Sequence, residues 1–488
     1  MPDSTHIASA HAESTFGYSV GLLDPIVHGT DATRLTDDAA WLQALVDTEL
    51  ALTRALIRVG LVPEWMSEVV DRLDDPAWLG SSIDLAQIAA HSRAGGNPVI
   101  PLVKALGAAA EELHPGASDH IHVGATSQDI VDTATMLIVR GVAREVLGAL
   151  SSLADSLAGL ADTHRRTPMA GRTLGQQASP MSFGLVAAQW LDAVLTVRAR
   201  LDHVNDELPA QLGGAVGTLS TLTDRVASRL PQKGPDTVID EIVAGFAAEL
   251  SLRAPSITWH TDRLAVTTVA DALASVAGAV GAFALEVTVL ARTEIAELSE
   301  RLGAGEGGSS AMPHKRNPVT AFLIVSAARR APGLLATLHG SLLSEDQRPS
   351  GAWHAEWPTL RDLESLTVAA AQAAASLADR LEVDTERMRA NLEITDGLIY
   401  SERVSTILSE ALGKRAAFEL VEAASHEALD THRPLQVVLS GRLATDGHDE
   451  SLRALIWKAF EPDGALGQSD RMISRVLERH TRERTATP

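Results

Sequence analysis

Between Gly303 and Pro318 the chain reads GAGEGGSSAMPHKRNP. Gly303, Gly305, Gly307 and Gly308 loosen the backbone of the first half, whereas Pro313 and Pro318 stiffen the second. Ser309 and Ser310 lie where the two halves meet; Lys315 and Arg316 follow as cations, with His314 and Asn317 as further donors. A serine hydroxyl is a very weak acid. Either serine could act as a base only if its alkoxide were stabilised, here by the Lys315 ammonium and by backbone N–H groups. A loop with a flexible front and a stiff basic back could close over an anion. The plainer alternative is a surface loop with a solvated basic tip, but the joint spacing of Gly-Ser-Ser, Met-Pro, Lys and Asn-Pro favours chemistry.

The rest of the chain supplies long helices to position such a loop. At 488 residues it exceeds one ordinary core, and 45% hydrophobic with 21% charged residues is a folded composition. Val269, Leu273, Val276, Val280, Phe283, Val287 and Leu290 recur in alternating steps of three and four, a bundle-type face. The proline-free run extends to about Arg301, which predicts a helix roughly 50 Å long. Similar faces run through Val146, Leu150, Leu153, Leu157 and Leu160, and through Trp190, Val194, Val197, Leu201, Val204 and Leu208. Stretches at about 319 to 345 and 359 to 382 complete five candidate long helices, while alternating strand patterns are nearly absent. The expected fold class is all-α: a central long-helix bundle, 116–382, carrying the loop 303–318, between smaller helical domains at 1–115 and 383–488. Apolar faces this long call for cover from further copies of the chain, so an oligomer is expected.

Composition narrows the function. A net charge of -22 argues against nucleic acid, so an anionic ligand must be held by a local cluster of cations. No window is read as a membrane span, and MPDSTHIASAHAESTF has neither a basic start nor an apolar signal core, which predicts a cytoplasmic protein with no membrane partner. Zero cysteines remove disulfides, thiolate metal sites and a cysteine nucleophile. The histidines of HPGASDHIH, His114 to His122, come with no carboxylate constellation or HExxH spacing, and no metal is expected.

Two further stretches precede the loop in order: HVGATSQDIVDTA, His122 to Ala134, and MAGRTLGQQASPMSFG, Met169 to Gly184. Together the three resemble the active-site regions of the fumarase/aspartase superfamily. The single residue between Ser310 and Met312 is the form shared by adenylosuccinate lyases and bacterial 3-carboxy-cis,cis-muconate cycloisomerases. The resemblance implies a homotetramer with a twenty-helix core and active sites assembled from three subunits. It makes Ser309 the catalytic base, with Lys315 and Asn317 as stabilising and substrate-contacting groups and His314 and Arg316 beside them. Thr126, Ser127 and Gln128 match a carboxylate-binding turn, although the same residues also suit a helix cap.

One departure separates the subfamilies. Fumarases and the adenylosuccinate and argininosuccinate lyases carry histidine where this chain has Leu174, and a leucine transfers no proton. The cycloisomerases are similar in having an apolar residue there with glutamine nearby, as Gln176 and Gln177 are here. AGGNPVIPLV, QLGGAVGTL, WHTDRLAV and GAWHAEW also look like that family. The resemblance thus implies lactonisation of a small tricarboxylate, 3-carboxy-cis,cis-muconate, in protocatechuate breakdown. No metal or organic cofactor is needed if Lys315, Arg316, Arg263 and Arg403 stabilise the aci-carboxylate intermediate. Taken alone, Arg403 would rather pair on the surface with Glu402 or Glu410. His260 and His122 could supply a proton, or be hydrogen-bonded structural histidines. The alternatives are a fumarate-releasing elimination from a substituted succinate, such as nitrosuccinate or a succinylated amine, and a non-catalytic structural oligomer.

Overall fold

The structure is a computed structural model that describes residues 22–75, 83–303, 305–309, 311–312 and 314–486. Ser310, Pro313 and the N-terminal stretch discussed above lie outside the described residues. The described residues are predominantly helical, as composition and periodicity predict. Helix α1 (Asp38–Val59) is started by Asp37, whose carboxylate accepts from Ala40 N, and ended by Gly60 in the left-handed conformation. After α2 (Leu85–Gly95) and α3 (Val99–Leu113) come the long helices α4 (Ser127–Thr163), α5 (Phe183–Asp206), α6 (Leu264–Leu290), α7 (Val319–Gly340) and α8 (Ala352–Asp379).

The described residues group into two compact units, each built from three stretches. The first takes the chain through Gly148, then Ala199–Gly278 and Ala327–Gln372; the second takes Ala149–Arg198, Ala279–Ser326 and the chain from Ala373. The heptad face of α6 is buried as expected, from Val269 and Leu273 in the first unit to Phe283, Val287 and Leu290 in the second. In the second unit Val404, Leu408, Val421, Leu435, Leu439 and Leu443 form a further apolar core among the C-terminal helices.

Three expectations change. The run read as helix to Arg301 stops at Leu290; Ala296 takes a left-handed φ of 51° and the chain then forms β3 (Leu298–Glu300), paired antiparallel with β4 (Leu381–Val383). The second motif forms a β-hairpin in a chain whose strand patterns were expected to be nearly absent: β1 (Pro168–Thr173) pairs with β2 (Gln176–Ser182) through a two-residue turn. Leu174 and Gly175 both have positive φ, 53° and 81°, as a twist-matched hairpin turn requires. Finally, α6 and α7, though without a long uninterrupted apolar run, are by length and composition apolar enough to cross a membrane, a test that buried core helices also meet.

Within the first unit α8 buries a carboxyl group completely. Glu364 has neither oxygen hydrogen-bonded within the described residues, and burial pushes its carboxyl up to about 8.

Candidate active site

The first motif is built around one buried carboxylate. Asp129, in the first turn of α4, accepts from the Thr126 N–H at 2.9 Å, from the Gly213 and Gly214 N–H groups at 2.8 and 2.9 Å, and from His260 Nε2 at 2.7 Å. The glycines of QLGGAVGTL are needed here: a Cβ on Gly213 would come within 2.8 Å of both His260 Cε1 and Thr258 Cγ2, and Gly214 has a φ of 71°. His260 is thereby oriented, only 5% exposed, with Nδ1 buried and unbonded. Facing Asp129 with Nε2, the ring carries its proton there and leaves Nδ1 as an acceptor.

Gln128 is fully buried and already engaged. Its Nε2 donates to Asp132 Oδ2 at 3.2 Å and to the His260 carbonyl at 2.8 Å, and its Oε1 accepts from Arg348 Nε at 2.9 Å. Arg348, which the motifs did not single out, then reaches Thr126 Oγ1 and the Ala215 carbonyl, each at 3.2 Å, through Nη2. This guanidinium meets no carboxylate among the described residues. A half-buried cation with no carboxylate partner among the described residues therefore stands against Thr126, the neighbour in sequence of the partly buried Ser127.

Arg263 does not serve as the substrate cation proposed from the sequence. It is 2% exposed, and its guanidinium is shared between Asp132, at 2.8 and 3.0 Å, and Glu356, at 3.0 and 2.6 Å. Burial opposes its charge, but the two carboxylates outweigh that and raise its pKa. Removing the guanidinium leaves two carboxylates buried together without a cation. Arg263→Met is expected to destabilise the first unit by about 3 kcal/mol, read as a lowered denaturant midpoint; an unchanged midpoint would show that Asp132 and Glu356 find other partners.

The signature loop belongs to the second unit. It is cinched at its neck, where both the backbone and the side-chain nitrogen of Asn317 donate to the Gly307 carbonyl, at 3.0 and 3.1 Å. Gly307, with a φ of 69°, leaves no room for a Cβ, which would lie 2.9 Å from the Asn317 carbonyl oxygen. Glu306 anchors the approach to the neck by accepting from Gly303 N and from Arg380, which also pairs with the buried Glu300. At the tip, the Ala311 and Met312 N–H groups donate to Ser309 Oγ at 3.3 and 3.1 Å. These are the backbone donors that an alkoxide would need. His314, Lys315 and Arg316 are exposed, and their side chains make no hydrogen bond or ion pair among the described residues.

The second-motif hairpin, also in the second unit, presents Leu174 fully exposed at its tip. The strand end beside the tip is held by Arg172, bidentate on the buried Glu297 at 2.9 and 2.6 Å, with Asn391 donating to the same carboxylate at 2.7 Å. Gln177 Nε2 donates to the Asn391 carbonyl at 2.9 Å, while its Oε1 is buried and unbonded. Arg403 does not pair with Glu402 or Glu410. Its Nη1 donates to the Ala459 and Glu461 carbonyls at 2.8 and 3.1 Å, so its charge is fixed by backbone rather than by acid. Thus Thr126, Gln128 and His260 come together with Arg348 in one unit, and Ser309 and Lys315 to Asn317 share one loop in the other.

Comparison with known proteins gives the family of the chain. Residues 26–333 match the family described as Lyase. Over 94% of both chains, the sequence is 42% identical to nitrosuccinate lyase from Streptomyces davaonensis. It is 39% identical to 3-carboxy-cis,cis-muconate cycloisomerase from Bradyrhizobium diazoefficiens, over 94% of this chain and 97% of that one. Among solved structures, the 3-carboxy-cis,cis-muconate lactonizing enzyme from Pseudomonas putida superposes with a TM-score of 0.85 at 34% identity, covering 95% of this chain and 99% of its own. The chain belongs to this lyase family, within the fumarase/aspartase superfamily. It is an enzyme of that superfamily, and its relatives divide between cycloisomerases and fumarate-type lyases.

Proposed function

We propose that this chain lactonises 3-carboxy-cis,cis-muconate to 4-carboxymuconolactone, a step of protocatechuate breakdown. The observation that carries the reading is Leu174: where related eliminases hold a histidine acid, an apolar side chain stands on the hairpin tip. A carboxylate leaving group needs no protonation, whereas an amine does. In the lactonising direction a substrate carboxylate oxygen bonds to an alkene carbon, and the alkene electron pair moves toward a neighbouring carboxyl group as an aci-carboxylate. One proton then adds to the carbon beside that carboxyl, so trianion plus proton becomes dianionic lactone. Ser309 Oγ–H gives that proton and in reverse removes it. The Ala311 and Met312 N–H groups, together with the Lys315 ammonium, hold the alkoxide until solvent reprotonates it.

Thr126, Ser127, Gln128, Gln177, His314, Arg316, Asn317 and Arg403 are assigned to the tricarboxylate, and His260, oriented by Asp129, to proton handling. Gln128 contributes by holding Arg348, which adds a cation facing a substrate carboxylate. Arg348→Met is expected to lower kcat/KM by about thirtyfold, and Arg348→Lys to recover only part of it, since a lysine cannot span Gln128, Thr126 and the ligand at once. Equal activity of Arg348→Met and wild type would remove the residue from the site.

A homotetramer in the cytoplasm fits this reading. Leu264 and Leu285 on α6 and Phe322 on α7 are large apolar side chains left exposed on long helices, which supports association of copies. The proposed division along the chain is 1–115, 116–382 and 383–488, with the five long helices in the middle part.

The deciding experiment is an ultraviolet assay of the purified protein with 3-carboxy-cis,cis-muconate, following loss of the conjugated diene. Rapid loss is expected. The 42% identity to nitrosuccinate lyase favours one second reading, elimination of nitrite, which also leaves without an acid. No diene loss, with absorbance gained from nitrosuccinate as fumarate forms, would replace the first reading by the second.

A further inference from the structure

Helix α1 buries a carboxylate that its own fold does not use. Leu45, Val46, Leu50, Leu52 and Leu56 pack the surrounding turns, yet Glu49 sits among them with no exposed surface. Its Oε1 accepts from His122 Nδ1 at 2.7 Å, and its Oε2 is buried without a partner among the described residues. A stability-driven core would not keep a carboxylate with one oxygen unsatisfied.

The partner is equally unusual. His122 opens the first motif with a φ of 57°, in the left-handed region that costs a side-chain-bearing residue of the order of 1 kcal/mol. That backbone aims the ring back at α1. The imidazole remains 21% exposed, and Nε2, opposite the Glu49 bond, makes no hydrogen bond among the described residues. Four residues on, Thr126 meets the Arg348 guanidinium. Burial works against a charged ring, but the Glu49 hydrogen bond and charge, with a further contribution from Asp129, outweigh it and raise the pKa of His122.

We infer that Glu49 is a positioning residue that holds His122 as an imidazolium, with Nδ1–H on Glu49 and Nε2–H presented to a carboxylate of the substrate, next to the Arg348 cation. This inference rests on the reading of the site as a polycarboxylate site and adds a donor to it. It also separates the two histidines: His260 is enclosed and oriented by Asp129, whereas His122 has a bound face and an open one. No chemical step passes through His122. It binds ground state and transition state alike, so its loss should appear in KM rather than kcat.

The test uses Glu49→Gln, which keeps an acceptor for Nδ1 while removing the charge, His122→Gln, and the double variant. Each is assayed for steady-state turnover, thermal unfolding and calorimetric binding of propane-1,2,3-tricarboxylate. Both single variants are expected to raise KM about tenfold with kcat within about threefold of wild type. The double variant should be no worse than His122→Gln, because Glu49 acts only through the ring. A fall in Tm and kcat at unchanged KM would make the pair a structural one and overturn the inference, as would losses that multiply in the double variant. If the wild type leaves 3-carboxy-cis,cis-muconate untouched, the proposed reaction falls by itself, and tricarboxylate binding decides for His122. Weaker binding by both variants sustains the inference; equal binding, or none by the wild type, overturns it.

Discussion

Ser309→Ala should reduce turnover by about a thousandfold or more while leaving the circular dichroism spectrum and the oligomer unchanged. The magnitude follows from what is lost. The hydroxyl is the only atom of that side chain able to carry the proton, and two N–H groups converge on it that otherwise have no anionic target. The loop itself should survive, because its neck is held by Asn317 on Gly307 and its approach by Arg380 on Glu306, not by Ser309. Rate constants from diene loss, measured with substrate in excess, check the effect; a rate within about tenfold of wild type would place the base elsewhere.

Glu364→Met should make the protein more stable at pH 8 and nearly indifferent to the exchange at pH 5. Below its ordinary value of 4.5 this carboxyl is protonated in both folded and unfolded chains and titrates in neither. As pH rises from 4.5 toward about 8, the unfolded chain ionises while the folded one does not, and stability falls by about 1.4 kcal/mol for each pH unit. The loss approaches about 5 kcal/mol and levels off once the buried group ionises near 8. Methionine has a similar length and no proton to lose. Denaturation midpoints between pH 5 and 8 should therefore slope less in Glu364→Met than in wild type, and parallel slopes would show that the carboxyl is ionised when folded.

The signature loop stands out in the sequence because its residues are contiguous: Gly-Ser-Ser, Lys and Asn-Pro lie within one stretch. The face of α6 was legible because a buried helix stripe repeats in sequence. What escaped depends on distant pairings. Nothing local distinguishes Arg348, held by Gln128, from Arg263, which is consumed by Asp132 and Glu356; only the tertiary partners divide them. The end of α6 was hidden because the residues that leave the helix do so for Leu381–Val383, far along the chain. The hairpin at Leu174 was missed since leucine is a poor residue for positive φ, and only Gly175 signalled the turn.

The discontinuous make-up of the two units sets an order of events during synthesis. The first unit includes Ala327–Gln372 and the second runs on through the C-terminal helices, so neither is complete until the ribosome has passed Gln372 of the 488-residue chain. Until then the apolar stripes of α4, α5 and α6 have emerged without the helices that cover them in each unit. The nascent protein therefore passes through a long stage of its translation with core surface uncovered, and chaperones that shield apolar helices should matter to its yield.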